Sequence, residues 1–136
     1  MAPNSDLNLS GLKVLVVDDG NDNLQFLAFL FETYGANVTA VRSTNDALQA
    51  LLKRQLDILV SEIRLPDENG YTLIRRVREL TVEQGGQVPA IALTGDAKES
   101  DRQQALAAGF QQHLAKPVDP DTLLQAVLEM ASCKIK

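Results

Sequence analysis

With only one cysteine, Cys133, the chain has no internal disulfide and must fold on its core alone. No apolar stretch approaches the roughly 20 residues that a membrane-spanning helix needs. The amino terminus also lacks the layout of a secretory signal, so a reducing, cytoplasmic setting with no direct membrane partner is expected. Blocks of lysine and arginine are missing as well. Thirteen basic against eighteen acidic residues give a net charge of -5, and without a basic footprint no direct nucleic-acid partner is expected. Neither GxxxxGK[ST] nor GxGxxG follows the first apolar segment, so the usual mononucleotide and dinucleotide cradles are excluded. His113 is solitary, which leaves no His/Cys set for zinc.

What is present is ordinary globular material: 136 residues, 45% hydrophobic and 23% charged, enough for one domain with its own core. The opening APNSDLNLSG is polar and rich in Pro, Asn and Ser. Residues 1–10 read as a flexible linker or frayed terminus of a longer protein, and 11–133 as the folded domain. Along that domain two periodicities alternate. LKVLVV (12–17), NVTAV (37–41), DILVS (57–61), VPAIALT (88–94) and FQQHLA (110–115) read as strands. The intervening segments read as helices. Leu24, Leu27, Phe31 and Tyr34 recur at helical spacing, with Gly35 as a stop. Ser43 followed by Asp46 resembles a capping box. GYTLIRRVREL (70–80) is the third helix, 97–108 the fourth with Gly109 ending it, and Asp119-Pro120 opens a fifth running through Met130.

Strict alternation of strand and helix over five units implies an α/β fold, a five-stranded parallel sheet doubly wound with helices on both faces. In such open sheets the functional site lies at the carboxyl ends of the strands. Those ends carry Asp18-Asp19, Glu62, Thr94-Gly95 and Lys116-Pro117. An acidic pair at a strand exit is usually just solvated, and a lone Thr or Lys there signifies less. The combination is what informs, because three gathered carboxylates repel one another and a fold tolerates that when a cation resolves it. Lys116 supplies one positive charge. For the rest Mg²⁺ fits best, being hard, oxygen-seeking and commonly held by one or two carboxylates plus water and phosphate.

VLVVDDGNDN, DILVSEIRLPDENGYTLIRRV, AIALTG and GFQQHLAKPVDPDTLL, in this order over residues 11–131, resemble a bacterial two-component response-regulator receiver domain. The likeness is greatest to receiver modules of hybrid sensor kinases, of which the chain would be a fragment. The resemblance implies a flavodoxin-like (βα)₅ fold, and a signalling module rather than an enzyme. Such a module takes a phosphoryl group from a histidine kinase or phosphotransfer protein. It further implies that Asp18, Asp19 and the backbone carbonyl of Arg64 hold Mg²⁺, together with the acid at position 62. Thr94 would hydrogen-bond the phosphoryl group, Lys116 would pair with it, and Lys116-Pro117 would be joined by a cis peptide. A homodimer through the fourth helix, fifth strand and fifth helix is a further expectation, with Ala97, Ala105, Ala107 and Ala108 small enough to leave a contact face.

Three positions depart from the pattern. His113 stands where Tyr or Phe usually acts as a rotameric switch with the Thr94 position; a buried, satisfied histidine is the reading preferred over a pH sensor. Gly20 removes a side chain beside the pocket. Glu62 occupies the place of the phosphoacceptor aspartate. It reaches roughly 1.5 Å further than aspartate, and a misplacement of about 1 Å can cost on the order of 10²-fold in rate. Impaired phosphorylation and weak or altered Mg²⁺ binding are therefore expected. Glu62 would act either as a partial phosphomimic or, ion-paired with Lys116, as part of a locked pseudo-receiver with output by protein–protein contact. The rival from another class is a Mg²⁺-dependent phosphatase of the haloacid-dehalogenase type. It wants Asp-x-Asp after the first strand, where this chain has Gly20 and Asn21 at the relevant positions.

Overall fold

A computed structural model describes residues 8–65, 68–95, 99–116 and 118–135, with the side chains of 99–101 and 132–135 left out. Five parallel strands form one sheet in the order β2-β1-β3-β4-β5. They are β1 (Lys13–Val17), β2 (Asn37–Val41), β3 (Ile58–Glu62), β4 (Ala90–Thr94) and β5 (Gln112–Ala115). The helices between and after them are α1 (Asn21–Thr33), α2 (Thr44–Lys53), α3 (Gly70–Glu79), α4 (Glu99–Ala108) and α5 (Pro120–Ile135). This is the doubly wound flavodoxin-like arrangement, whose order reverses beside β1.

The apolar runs of the central strands are explained by burial on both faces. In β1, Leu15 and Val17 point into a core shared with Ala47 and Leu51 of α2 and with Leu73, Ile74 and Val77 of α3. Val14 and Val16 point the other way, towards Leu24, Leu27 and Phe31 of α1 and Leu123, Leu124 and Val127 of α5. Three helices begin on side-chain caps, each satisfying an otherwise orphaned amide. Ser43 Oγ accepts from Asp46 N–H at 3.1 Å, Asn69 Oδ1 from Thr72 N–H at 2.9 Å and Asp119 Oδ2 from Thr122 N–H at 3.0 Å. Gly35, at φ 98°, closes α1 in the left-handed region that favours glycine.

Several element ends differ from the sequence reading. Val88 and Pro89 precede β4 instead of opening it, because the Val88 amide donates to Gly85 O within the preceding turn. Phe110 is buried in the turn before β5, its amide donating to Ala105 O. β3 starts at Ile58 and includes Glu62, and α5 continues past Met130 to Ile135. The linker boundary also needs correction. Leu9, read as part of residues 1–10, is fully buried beside Phe31 and Val14, and its amide donates to Tyr34 O at 2.8 Å. An apolar residue next to a glycine turn can tuck back under the sheet, and here it does. Ala105 and Ala108 are likewise core residues and not part of a free contact face, whereas Ala107 is exposed. Ala97 lies outside the described residues.

Arg78 joins the lower end of the sheet. Its guanidinium donates to Gly109 O (3.1 and 2.8 Å), Gly86 O (3.0 Å), Val88 O (2.7 Å) and Gln111 Oε1 (3.0 Å). Burial pulls it below its ordinary pKa. The planar five-donor fork suits such a cluster of carbonyls, where the point charge of a lysine would not.

Leu9→Ala should destabilise the domain by about 2–4 kcal/mol, as truncation of a fully buried leucine does. Urea unfolding would show this as a lowered midpoint at unchanged slope. A midpoint within experimental error of the unsubstituted chain would return Leu9 to the linker.

Candidate functional site

Asp18 directly follows β1, Glu62 ends β3, Thr94 ends β4, and Lys116 directly follows β5. Parallel register carries these ends to one edge. Glu62 stands opposite Leu93, and the Lys116 amide donates to Thr94 O at 2.7 Å. Asp19, Glu62, Arg64, Gly95 and Lys116 line a single cleft of about 510 Å³ there. The convergence expected from the sequence is therefore present, although the acids differ sharply in setting. Asp18 and Glu62 are only 2% and 6% exposed, whereas Asp19 is open to solvent.

The two buried carboxylates meet on Lys116. Its Nζ lies 3.0 Å from Asp18 Oδ2 and is also ion-paired with Glu62 Oε2. Each acid's other oxygen is occupied by main chain. Asp18 Oδ1 accepts from Gly20 N–H at 2.8 Å, and Glu62 Oε1 accepts from Ile63 N–H at 2.9 Å and Arg64 N–H at 3.3 Å. Asn23, from the first turn of α1, donates its side-chain amide to Asp18 Oδ2. Partial burial pulls the Lys116 ammonium down, but hydrogen bonds and charge from Glu62 and Asp18 outweigh it and hold the group above its ordinary value.

Thr94 is 5% exposed at the end of β4. His113 is half-buried in β5 opposite Ala92, so it is less enclosed than the buried histidine expected from the sequence. Gly20 packs closely on the site, since a Cβ there would crowd Asp18 Oδ1 at 3.3 Å. Pro117, and with it the expected cis peptide, lies outside the described residues. Two features escaped the sequence reading. Asn23 as a partner of Asp18 had only a weak signal, the polar NDN opening α1. The folding-back of Glu62 onto its own following amides had none.

The fit of these residues to Mg²⁺ can be tested on the geometry. A magnesium ion needs oxygens converging at about 2.0–2.1 Å in an octahedral shell. Here the inner oxygens of Asp18 and Glu62 face an ammonium and the outer ones face backbone amides. Among the described residues no group of three His, Cys, Asp or Glu side chains is placed to hold a metal ion. In this arrangement the donor set does not fit the ion.

A five-stranded parallel sheet with an acidic cleft and a lysine at its carboxyl edge defines a receiver-type α/β module. A family model described as the response regulator receiver domain matches residues 14–128, and the chain belongs to that family. It is 47% identical over 120 residues to an uncharacterised 14.6 kDa protein of Leptolyngbya boryana, covering 88% of this chain and 89% of that one. It is 33% identical over 116 residues to the sensor histidine kinase RcsC of Salmonella typhimurium, covering 85% of this chain but spanning only 12% of the kinase. Among solved structures it is similar to the receiver domain of sensor histidine kinase PA1611 from Pseudomonas aeruginosa, which has a magnesium ion coordinated in its active-site cleft. That likeness has a TM-score of 0.82 at 30% identity and covers 90% of this chain and 99% of the other. Receiver domains are signalling modules, and the match over 14–128 does not favour the phosphatase alternative. Among the described residues no helix is long and apolar enough to cross a membrane.

Because Lys116 titrates higher in the folded chain than its ordinary value of 10.5, its contribution to stability is complete below that value. The contribution is lost as pH rises through the higher folded value. Lys116→Gln should thus lower stability at neutral pH by about 1–3 kcal/mol, since it leaves two buried carboxylates without their charged donor. The gap to the unsubstituted chain should narrow above about pH 10.5 as the lysine itself loses its proton. Urea unfolding at neutral and alkaline pH reads both; a gap independent of pH would contradict the assignment.

Proposed function

We propose that this chain is the receiver of a two-component phosphorelay in which Glu62 stands at the phosphoacceptor position, so that phosphoryl capture is impaired and output is by protein–protein contact. The observation that supports this most directly is the seating of Glu62. It is buried at the carboxyl end of the central strand β3, with one oxygen on Lys116 and the other on the amides of Ile63 and Arg64. A carboxylate held in this way is a poor nucleophile towards phosphorus, because an attacking oxygen must be free and in line. Pairing with Lys116 favours a locked pseudo-receiver over a partial phosphomimic, since the lysine that would greet a phosphoryl group is already engaged.

In this reading Asp18, Asp19 and the Arg64 carbonyl are the remnant of a Mg²⁺ site that binds the ion weakly or in altered form. Thr94 and Lys116 are the phosphoryl-recognition pair, and Thr94 with His113 forms the switch. The partner is a histidine kinase or a phosphotransfer protein. Contact between copies through α4, β5 and α5 is the proposed route to a homodimer, with Ala107 and not the buried Ala105 or Ala108 on its surface.

Incubation with acetyl phosphate and Mg²⁺, followed by intact mass, tests the reading. Glu62→Asp should gain one phosphoryl group at a rate at least about 10²-fold above that of the unsubstituted chain. Equal labelling of the two would overturn the claim about Glu62, and labelling of neither would overturn the assignment of the cleft.

A further inference from the structure

We infer that the Lys116 ammonium is itself the resident cation of this cleft and that it, more than any shortage of acids, is what weakens Mg²⁺ binding there. The inference deepens the receiver reading and rests on it. Three carboxylates, Asp18, Asp19 and Glu62, stand at this edge of the sheet, which is enough acid for a divalent site. What prevents them from converging on one is where their oxygens point. Nζ of Lys116 sits between Asp18 Oδ2, at 3.0 Å, and Glu62 Oε2, where the two acids would otherwise present a shared face to a metal. Backbone amides take Asp18 Oδ1 and Glu62 Oε1, and Asn23 adds a neutral donor beside the ammonium at Asp18 Oδ2. Asp19 is exposed and lines the cleft, whereas Mg²⁺ is usually held by one or two carboxylates together with further oxygen ligands.

The extra methylene of Glu62 makes this double engagement possible. A side chain attached at the end of β3 can place one oxygen over the amides of the next two residues and extend the other to an amine following β5. A dication entering the cleft would have to share an oxygen with an ammonium at hydrogen-bonding distance or displace it. Sharing brings like charges together, and displacement breaks a buried pair and strands a charge. The oxygens of Asp18 and Glu62 are thus engaged from within the chain, and the conformation of the cleft is independent of magnesium.

Magnesium titration without any phosphodonor tests this on the full chain, by thermal unfolding against a sodium chloride control of matched ionic strength and by calorimetry. In the unsubstituted chain about 10 mM Mg²⁺ should leave the unfolding midpoint at that of the control, because a ligand stabilises only as far as it binds the folded state. Lys116→Gln should bind Mg²⁺ at least about tenfold more tightly than the unsubstituted chain and show a magnesium-dependent rise in midpoint, since one positive charge beside the site has gone. Adding Asp18→Asn should abolish that gain, which would locate the ion. Glu62→Asp, whose shorter side chain cannot bridge as far, should also gain affinity. The inference is overturned if the unsubstituted chain binds as tightly as Lys116→Gln, or if Lys116→Gln gains nothing. Should Lys116→Gln fail to fold with or without Mg²⁺, Glu62→Asp decides: equal affinity to the unsubstituted chain overturns it and tighter binding supports it. Failure here leaves the receiver reading standing, because that reading depends on phosphoryl transfer to Glu62→Asp, a separate measurement.

Discussion

Two carboxylates buried within reach of each other are the constraint around which the upper edge of this domain is arranged. Asp18 and Glu62 are almost wholly removed from solvent, and the cost of burying a charge is met only when it is paired and hydrogen-bonded. Lys116 supplies the pairing from a point 98 residues along the chain from Asp18. The hydrogen bonds come from main chain immediately downstream of each acid, joined at Asp18 by the side-chain amide of Asn23. The parallel sheet is what permits this. By delivering β1, β3 and β5 to one edge in register, it lets local amides and a distant amine serve the same two side chains.

The family relation sharpens the contrast. The receiver domain of the kinase PA1611 has a magnesium ion coordinated in its active-site cleft, and it shares the fold of this chain over nearly its whole length. In the proposed reading Glu62 departs from the family pattern in the reach of one carboxylate, and here that carboxylate is paired with Lys116. A single carbon–carbon bond, roughly 1.5 Å, is comparable to the tolerance within which phosphoryl transfer and octahedral metal binding operate.

Much of this was legible in the sequence because the signals were local and strong. The two-sided apolar runs of β1 and β3 located the central strands, Ser43 and Asp119 stood at helix starts, and the strand-end rule placed Asp18, Glu62, Thr94 and Lys116 together. What escaped was decided by tertiary contact. Leu9 sits in a polar stretch and is buried in the cluster that holds Phe31, its amide bonded to Tyr34 O. Val88 and Phe110 look like strand residues and are claimed by neighbouring turns. The commitments of individual oxygens, Asn23 on Asp18 and Glu62 on its own following amides, depend on side-chain conformations that no spacing rule encodes.

Arg78 gives the lower edge a different character from the upper one. Its guanidinium ties the residues that lead into β5, Gly109 and Gln111, to the carbonyls of Gly86 and Val88 ahead of β4. β5 is therefore anchored at both ends: Arg78 fastens its entrance to the turn ahead of β4, while at its exit the Lys116 amide is held by Thr94 O and the amine by the acids that end β3 and follow β1.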